Sequence, residues 1–347
     1  MKVLRFILFP FAILYDFVTR IRNFFFNTGI FYQTSFKTPV IVVGNLSVGG
    51  TGKTPQIEYL IRLLKNNFKT AVLSRGYNRE TKGFVLLNKN HVAIDVGDEP
   101  LQYFQKFKNI DVAVCANRVI GITNLIKNNI PEVILLDDAF QHRKVKGSFY
   151  ILLTKFDDLF MDDFLLPMGR LRESREGAKR TDVILVTKCP VDLTKESQKL
   201  IKQKLLKFNK EVFFTSISYA ESVLGATEML TSDLKNFEVL LITGIANPAP
   251  LLNYLKSLNV QFQHLKYADH HYFSDKEIEE VKNKFDTMKS SKIILTTEKD
   301  YVRLVNKIKN VSYLPIETSF LNNDMKKLLS IEEQLQHIKI YNQIGGY

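Results

Sequence analysis

Apolar residues in this chain fall into short runs separated by polar, helix-patterned stretches, starting at Pro39. "VIVVG" reads as a buried strand, "PQIEYLIRLLKNN" as an amphipathic helix, and "KTAVLSRGY" as a second strand closing in a polar turn. "DVAVCA", "EVILLDD", "SFYILLT" and "DVILVTK" supply further strands. This alternation predicts an α/β fold with a parallel sheet, in which ligands gather at the carboxyl ends of the strands. After "FFTSISYAESVLGAT", read as a connector, "FEVLLITGI", "VQFQHLKY", "SKIILTTEKD" and "VSYLPIE" repeat the pattern on a smaller scale. At 347 residues the chain exceeds what one core usually supports. The expected organisation is a sheet domain of P-loop type over 35–225 and a smaller carboxyl-terminal α/β domain over 226–347, whose last residues, "IGGY", are expected to fray.

Residues 1–34 follow a different pattern. Leu4, Ile7, Leu8, Phe11, Leu14, Val18, Ile21 and Phe25 recur at helical spacing, with Arg5, Asp16, Arg20 and Asn23 elsewhere around the helix. That describes an interfacial amphipathic helix. Its uncharged run from Phe6 to Tyr15 is about ten residues, half of the roughly 20 a spanning helix needs. The start is like a secretory signal, but Asp16, Arg20 and Arg22 follow where a small-residue cleavage site belongs, so no cleavage is expected. Pro10 is expected to kink the helix or to start its main part. The competing reading is a terminal helix that buries its apolar face in the protein's own core.

Composition narrows the class. A 45% hydrophobic content fits a globular protein, and two cysteines, Cys115 and Cys189, give neither a disulfide framework nor zinc spacing. The net charge of +12 suggests an anionic partner: nucleic acid, a membrane surface or a phosphorylated substrate. Lysine-rich runs such as "KLIKQKLLKFNK" read as solvated helix faces. Without a zinc finger, an RNP-type aromatic motif or basic-region heptads, nucleic acid is disfavoured. Nothing in the chain points to an obligate protein partner.

The chemistry concentrates in "VGNLSVGGTGKTP". Ser47 stands where the phosphate-loop pattern wants its first glycine, but Gly49, Gly50 and Gly52 still allow backbone N–H groups to approach phosphate oxygens. Ser47, Val48, Gly49, Gly50, Thr51, Gly52, Lys53 and Thr54 are therefore the candidate nucleotide loop. Lys53 would reach the outer phosphates, Thr54 would offer its hydroxyl to Mg2+, and Pro55 falls in the first helical turn, where no N–H partner is lost. The apolar strand "VILLDD" supplies the acidic partner: Asp137 or Asp138 would hold the metal directly or through water. A GTPase would need [NT]-K-x-D after a late strand, and "VTKCP" has Pro190 in the place of the Asp. A motor or assembly ATPase and a small-molecule kinase remain. In "VGDEPLQYFQ" the plain reading makes Asp98 a helix N-cap with Pro100 just inside, and histidines near a turn, such as His270 and His271 in "ADHHYF", are ordinarily surface groups.

Taken together, "VGNLSVGGTGKTP", "SRGY", "GDEP", "LDDAFQHR", "LLPMGRLRE", "TGIANP", "DHHYF" and "TTEKD" resemble the tetraacyldisaccharide 4'-kinases of Gram-negative lipid A synthesis. The resemblance runs from the amino-terminal helix to about Leu304, includes the Ser at the first loop position, and is most specific in "LDDAFQHR" and "TTEKD". It implies transfer of the ATP γ-phosphate to the 4'-hydroxyl of a tetraacylated glucosamine disaccharide 1-phosphate, giving lipid IVA. The enzyme would use Mg2+ and sit peripherally on the cytoplasmic face of the inner membrane, against anionic lipid. The resemblance further implies that Asp98 is the general base with Glu99 beside it. His270 would come from the second domain to orient it or help deprotonate its site, and Gln141, His142, Arg172 and Glu173 would line the active site. Arg75 and Arg118 are weaker candidates for phosphate contact, surface pairing being their ordinary fate. An ATPase without a lipid acceptor is the alternative.

Overall fold

The computed structural model of the chain describes residues 2–288 and 291–321, with side chains from Leu8 onward. The side chains of Leu4, Arg5 and Ile7, and the segment 322–347 with "IGGY", lie outside the described residues. Strands β1 (Val40–Asn45), β2 (Thr70–Ser74), β3 (Val85–Leu86), β4 (Asp111–Val114), β5 (Val133–Asp137), β6 (Phe149–Lys155), β7 (Val183–Thr187) and β8 (Glu211–Tyr219) build the larger sheet. The smaller sheet contains β9 (Ser222–Gly225), β10 (Met229–Leu230), β11 (Glu238–Thr243), β12 (Gln261–Lys266), β13 (Lys292–Thr297) and β14 (Val311–Leu314), and β15 (Ile316–Phe320) returns to the first. The larger sheet has the order β15-β8-β7-β6-β1-β5-β2-β4-β3, parallel from β8 to β4. In the smaller, ordered β10-β9-β14-β13-β11-β12, the strands β11 to β14 are parallel. The expected α/β fold with a parallel sheet and a smaller α/β unit is what the chain forms.

Helices α1 (Lys2–Asn27), α2 (Lys53–Leu64), α3 (Ala93–Val96), α4 (Asp98–Lys106), α5 (Arg118–Asn129) and α6 (Lys195–Leu205) precede the second sheet; α7 (Ala249–Ser257), α8 (Asp275–Asp286) and α9 (Glu298–Leu304) belong to it. On α2 the apolar residues Ile57, Leu60, Ile61 and Leu64 recur at helical spacing, are fully buried, and pack with Ile41, Val43 and Leu135 on one face of the sheet. On the other face Ile122 and Leu125 of α5 meet Val42, Leu73 and Ile134. Strands covered on both sides need no polar alternation, which is why β1, β2 and β5 read as continuous apolar runs. The expected connector "FFTSISYAESVLGAT" instead forms β8 and β9. Val212, Phe213 and Phe214 are all buried there, and β8 is paired by β7 on one side and antiparallel by β15 on the other.

Helix α1 starts at Lys2 and carries Pro10 in its interior, so Pro10 does not start it. Its two faces are reversed from those of an ordinary terminal helix. Ala12 and Thr19 are buried, and Tyr15, Asp16, Arg22 and Asn23 are half-buried against the protein. Phe9, Ile13, Val18, Ile21 and Phe24 are exposed, with Phe11 60%, Leu14 61% and Phe17 61% exposed. The reading in which α1 buries its apolar face in the core is thereby excluded, and Asp16 and Asn23, expected on a wet face, turn towards the protein. Among the described residues no helix is long and apolar enough to cross a membrane.

The two sheets are tied together beneath α4. Lys106 Nζ donates to Glu58 of α2 at 2.6 Å and to Glu298 of α9 at 2.8 Å, and both carboxylates are buried. Burial, and then the neighbouring Glu58, push the Glu298 carboxyl up to about 7. A carboxyl whose proton affinity is higher in the folded than in the unfolded chain stabilises fully below its unfolded pKa. That stability is lost as the pH rises through about 7. Glu298→Gln keeps an acceptor for Lys106 and removes the charge. It should raise the melting temperature at alkaline pH, with a gain on the order of 2 kcal/mol that disappears in melts near the unfolded carboxyl pKa of about 4.3. Equal effects at both pH values would contradict this account.

Candidate active site

The carboxyl ends of β1, β2, β5 and β7 open on one edge of the larger sheet, because those strands are parallel. From the end of β1 the loop turns back through Ser47, which forms an antiparallel bridge with Leu171. Val48 N donates to Arg170 O at 2.8 Å and Arg172 N to Leu46 O at 2.7 Å on either side of it. Ser47 is thus held in paired, extended backbone that any residue adopts, and no glycine is needed there. The positions that do need glycine have it: Gly49 and Gly52 take φ values of +110° and +83°. The loop is braced from β7, with Thr187 Oγ1 donating to Thr51 O at 2.7 Å and Lys188 Nζ to Gly50 O at 2.8 Å. Helix α2 begins at Lys53, whose ammonium lies 3.7 Å from Asp138.

Asp137 closes β5 and is buried, accepting long hydrogen bonds from Ser74 Oγ at 3.3 Å and Tyr103 OH at 3.4 Å. Burial first, and the adjacent Asp138, push its carboxyl up to about 6. Asp138 follows in left-handed backbone, φ +47°, which turns it out of the strand. Arg172 grips it with both terminal nitrogens, Nη2 to Oδ1 at 2.8 Å and Nη1 to Oδ2 at 3.2 Å. Burial would raise the Asp138 carboxyl, but Lys53 and Arg172 outweigh it and hold it below its ordinary value. Thr54 completes the cluster beside the Tyr103 hydroxyl, whose pKa it lowers against the rise from burial. Thr54, Asp137 and Asp138 offer oxygen donors only, the set a hard cation takes. Among the described residues no group of three or more His, Cys, Asp or Glu could hold a metal ion.

Gln141 and Glu173 meet behind this cluster. Gln141 Nε2 donates to Asn45 O at 2.9 Å and to Glu173 Oε1 at 3.0 Å, and its own Oε1 is buried without a partner. Glu173 is wholly buried, paired with Arg180 at 2.9 Å, and accepts from Asn23 Nδ2 of α1 at 2.9 Å. Tyr15 of α1 donates to Arg172 O at 2.8 Å. His142 Nε2 accepts from Arg118 N at 3.3 Å, and burial, then the Arg118 charge, bring its pKa down to about 4, so the ring is neutral at physiological pH. Arg118 is not surface-paired: it is buried, and its guanidinium donates to the carbonyls of Cys115, Ala116 and Asp137, bracing the end of β5. Arg75 is exposed.

Asp98 lies at the first position of α4 and does not cap it; Gly97, with φ +93°, is the cap residue. The carboxylate is taken instead by groups from the smaller sheet. His270, in left-handed backbone after β12, lies with Nδ1 2.9 Å from Asp98 Oδ2. Arg303 of α9 donates from Nε to Oδ1 at 2.9 Å and from Nη2 to Oδ2. Burial would raise the Asp98 carboxyl, but the Arg303 and His270 bonds hold it far below the usual range. Lys299 Nζ is 2.8 Å from His270 Nε2 and 3.9 Å from Glu99. The His271 ring faces Glu277 at 2.9 Å, away from this cluster. Sequence reasoning missed Tyr103, Lys188, Lys299 and Arg303. The signal for the last two is their four-residue spacing within the "TTEKD" helix, which places both cations on one face.

Lys53, Asp138 and Arg172 thus lie together at the strand ends, with Gln141 and Glu173 behind them, and Asp98, His270 and Lys299 form a second group, the two linked by α4: Asp98 at its start meets the smaller sheet, and Tyr103 on its next turn meets Asp137. With that geometry in view, likeness to known proteins is specific. A crystal structure described as the "apo" form of LpxK from Aquifex aeolicus in complex with ATP superposes with a TM-score of 0.79 at 29% identity, over 96% of this chain and 99% of that one. Tetraacyldisaccharide 4'-kinase of Flavobacterium johnsoniae is 53% identical over 98% of each chain. The protein of the same name from Bacteroides thetaiotaomicron is 44% identical over 92% of this chain and 90% of its own. The model of the tetraacyldisaccharide-1-P 4'-kinase family matches residues 4–334, and the chain belongs to that family.

Proposed function

We propose that the protein transfers the γ-phosphoryl group of ATP to the 4'-hydroxyl of a tetraacylated glucosamine disaccharide 1-phosphate, the product being lipid IVA. The single observation that carries this reading is α4, which ties an acceptor-side carboxylate, Asp98, to the nucleotide-side pair Thr54 and Asp137 through Tyr103. A nucleotide hydrolase needs no second carboxylate clamped by a separate sheet. Backbone N–H groups of the loop from Ser47 to Gly52 bind the phosphates, and Lys53 places its charge on the outer ones. Mg2+ fits Thr54, Asp137 and Asp138 and would neutralise charge on the transferring group. Arg172 takes one site on each Asp138 oxygen and leaves a further lone pair on each, so Asp137 or Asp138 would hold the cation, directly or through water. Asp98 takes the acceptor proton; a loose phosphoryl-transfer transition state asks little of its base, so a low pKa is no obstacle. Gln141, His142, Arg172 and Glu173 position the ends of β1 and β5 that carry the loop and Asp138, and Glu99 faces Lys299. Purified protein with Mg-ATP and the disaccharide 1-phosphate in detergent micelles should release ADP only with lipid present, and GTP should not replace ATP. Lipid-independent ADP release would favour a motor or assembly ATPase.

The outward apolar face of α1 supports a peripheral position on the cytoplasmic face of the inner membrane, where the lipid acceptor lies. Phe11, Leu14, Phe17 and Val18 enter the interface, and Arg20 at its edge meets anionic headgroups at roughly 1 kcal/mol. Deleting the helix is a poor test, since Asn23 and Tyr15 are bonded to Glu173 and Arg172. Leu14→Ser with Phe17→Ser leaves those contacts in place. The double variant should lose most anionic-vesicle binding and activity on the lipid while keeping its ATP affinity and melting temperature. Undiminished sedimentation with vesicles would place the membrane contact elsewhere.

A further inference from the structure

Resting on the reading of Asp98 as base, we infer that Arg303 is a positioning residue that aims the Asp98 carboxylate at the acceptor hydroxyl and keeps it ionised. A carboxylate has about four lone-pair sites. Three of them are filled across the gap between the sheets: two by Arg303, through Nε and Nη2, and one by His270. The site left on Oδ1 is the one available to a substrate hydroxyl. When the proton passes from that hydroxyl to Oδ1, its oxygen forms the bond to the γ-phosphorus while the bond from that phosphorus to the β–γ bridging oxygen breaks, and ADP leaves with both electrons.

The guanidinium is itself fixed and has little freedom to drift. The Arg303 side chain is 8% exposed, and its Nη1 donates to Asp300 at 3.3 Å. Asp300 is fully buried and accepts from Gly244 N at 2.9 Å and Thr297 Oγ1 at 2.7 Å, so the ends of β11 and β13 anchor the arm. The imidazole is fixed in the same way. An ammonium only donates, so Lys299 engages His270 Nε2 as an acceptor; Nδ1 lies 2.9 Å from Asp98 Oδ2 and 3.2 Å from Arg303 Nη2, and the ring proton on Nδ1 serves the shorter contact, to a carboxylate that only accepts. His270 therefore steers the carboxylate and takes no proton from it. Other charges near the carboxylate are Glu99, its neighbour on α4, which Lys299 faces at 3.9 Å, and Asp269, which Lys299 faces at 3.6 Å.

The test is a pH profile of kcat for the full chain with Mg-ATP and the disaccharide 1-phosphate in micelles, for the wild type, Arg303→Met, Arg303→Lys and Asp98→Asn. Arg303→Met should lower kcat by roughly 10- to 100-fold with the KM for ATP unchanged, and should move the acid limb to higher pH. Ethylguanidinium added to that variant should restore part of the rate. Arg303→Lys should keep the limb near its original position but still lose kcat, because one ammonium cannot hold both oxygens. A loss by the same factor at every pH, with no rescue, would make Arg303 a structural strut and overturn the inference. If Arg303→Met does not fold, unchanged kcat in Arg303→Lys overturns it as well. Asp98→Asn separates the two readings. Full activity there removes the base itself, whereas an inactive Asp98→Asn beside an unshifted Arg303→Met removes only the role given to the arginine.

Discussion

Lys53→Ala and Thr54→Ala should each lower turnover by on the order of 10²-fold or more while leaving the protein folded. The loop's shape does not depend on either side chain. Its backbone is set by the Ser47 bridge to Leu171, by Gly49 and Gly52, and by the braces from Thr187 and Lys188. At 3.7 Å from a partly exposed Asp138, the Lys53 ammonium adds little to stability, so its loss is felt where phosphate charge develops in the transition state. Melting curves on the same preparations check the fold. Near wild-type rates at saturating ATP would take this loop out of the mechanism.

The second large effect is expected at Asp98. Asp98→Asn should reduce kcat by roughly 10²- to 10⁴-fold with the KM for ATP almost unchanged. Asparagine is preferred to alanine here because alanine would leave the largely buried Arg303 side chain without its main partner, a loss of several kcal/mol in itself. Some destabilisation is expected even so, since a neutral amide answers a guanidinium less well. Rate and melting temperature must be read on the same variant: a destabilised but fully active protein would assign Asp98 to the contact between sheets alone. His270→Ala should also slow the reaction, and the double variant should lose less than the product of the two single losses if the pair acts as a unit.

The parts of this site legible in the sequence are the ones made by neighbours in the chain. A strand, a glycine-rich turn and Lys-Thr at the head of a helix are local, and so is an apolar run ending in Asp137 and Asp138. Ser47 looked like a defect because its compensation comes from Leu171, far along the chain. Asp98 illustrates the limit more sharply. The local rule offered an N-cap, whereas the carboxylate is held by Arg303, 205 residues away. No periodicity carries that pairing, and only the docking of one sheet on the other creates it. Arg118 was expected at the surface by residue type, yet three carbonyls at the ends of β4 and β5 draw it inside. The same holds for α1, where amphipathicity was visible but which face would meet the protein was not. Asn23 could have faced water as easily, until Glu173 and Arg143 are seen beside it.

That helix has a consequence for how the chain can drift over evolutionary time. On its outer side only oiliness is required, so Phe, Leu, Ile and Val there are interchangeable and each can be lost while its neighbours compensate. On its inner side the demand is for shape: Tyr15 must reach the Arg172 carbonyl, and Asn23 must donate to Glu173 while its main-chain carbonyl accepts from Arg143. One helix is thus read by two selective filters a half-turn apart, a permissive one and a strict one. Among descendants of this sequence, substitutions should collect on the outer arc, at Phe11, Leu14, Phe17, Val18, Ile21 and Phe24, at a much higher rate than on the inner, at Ala12, Tyr15, Thr19 and Asn23.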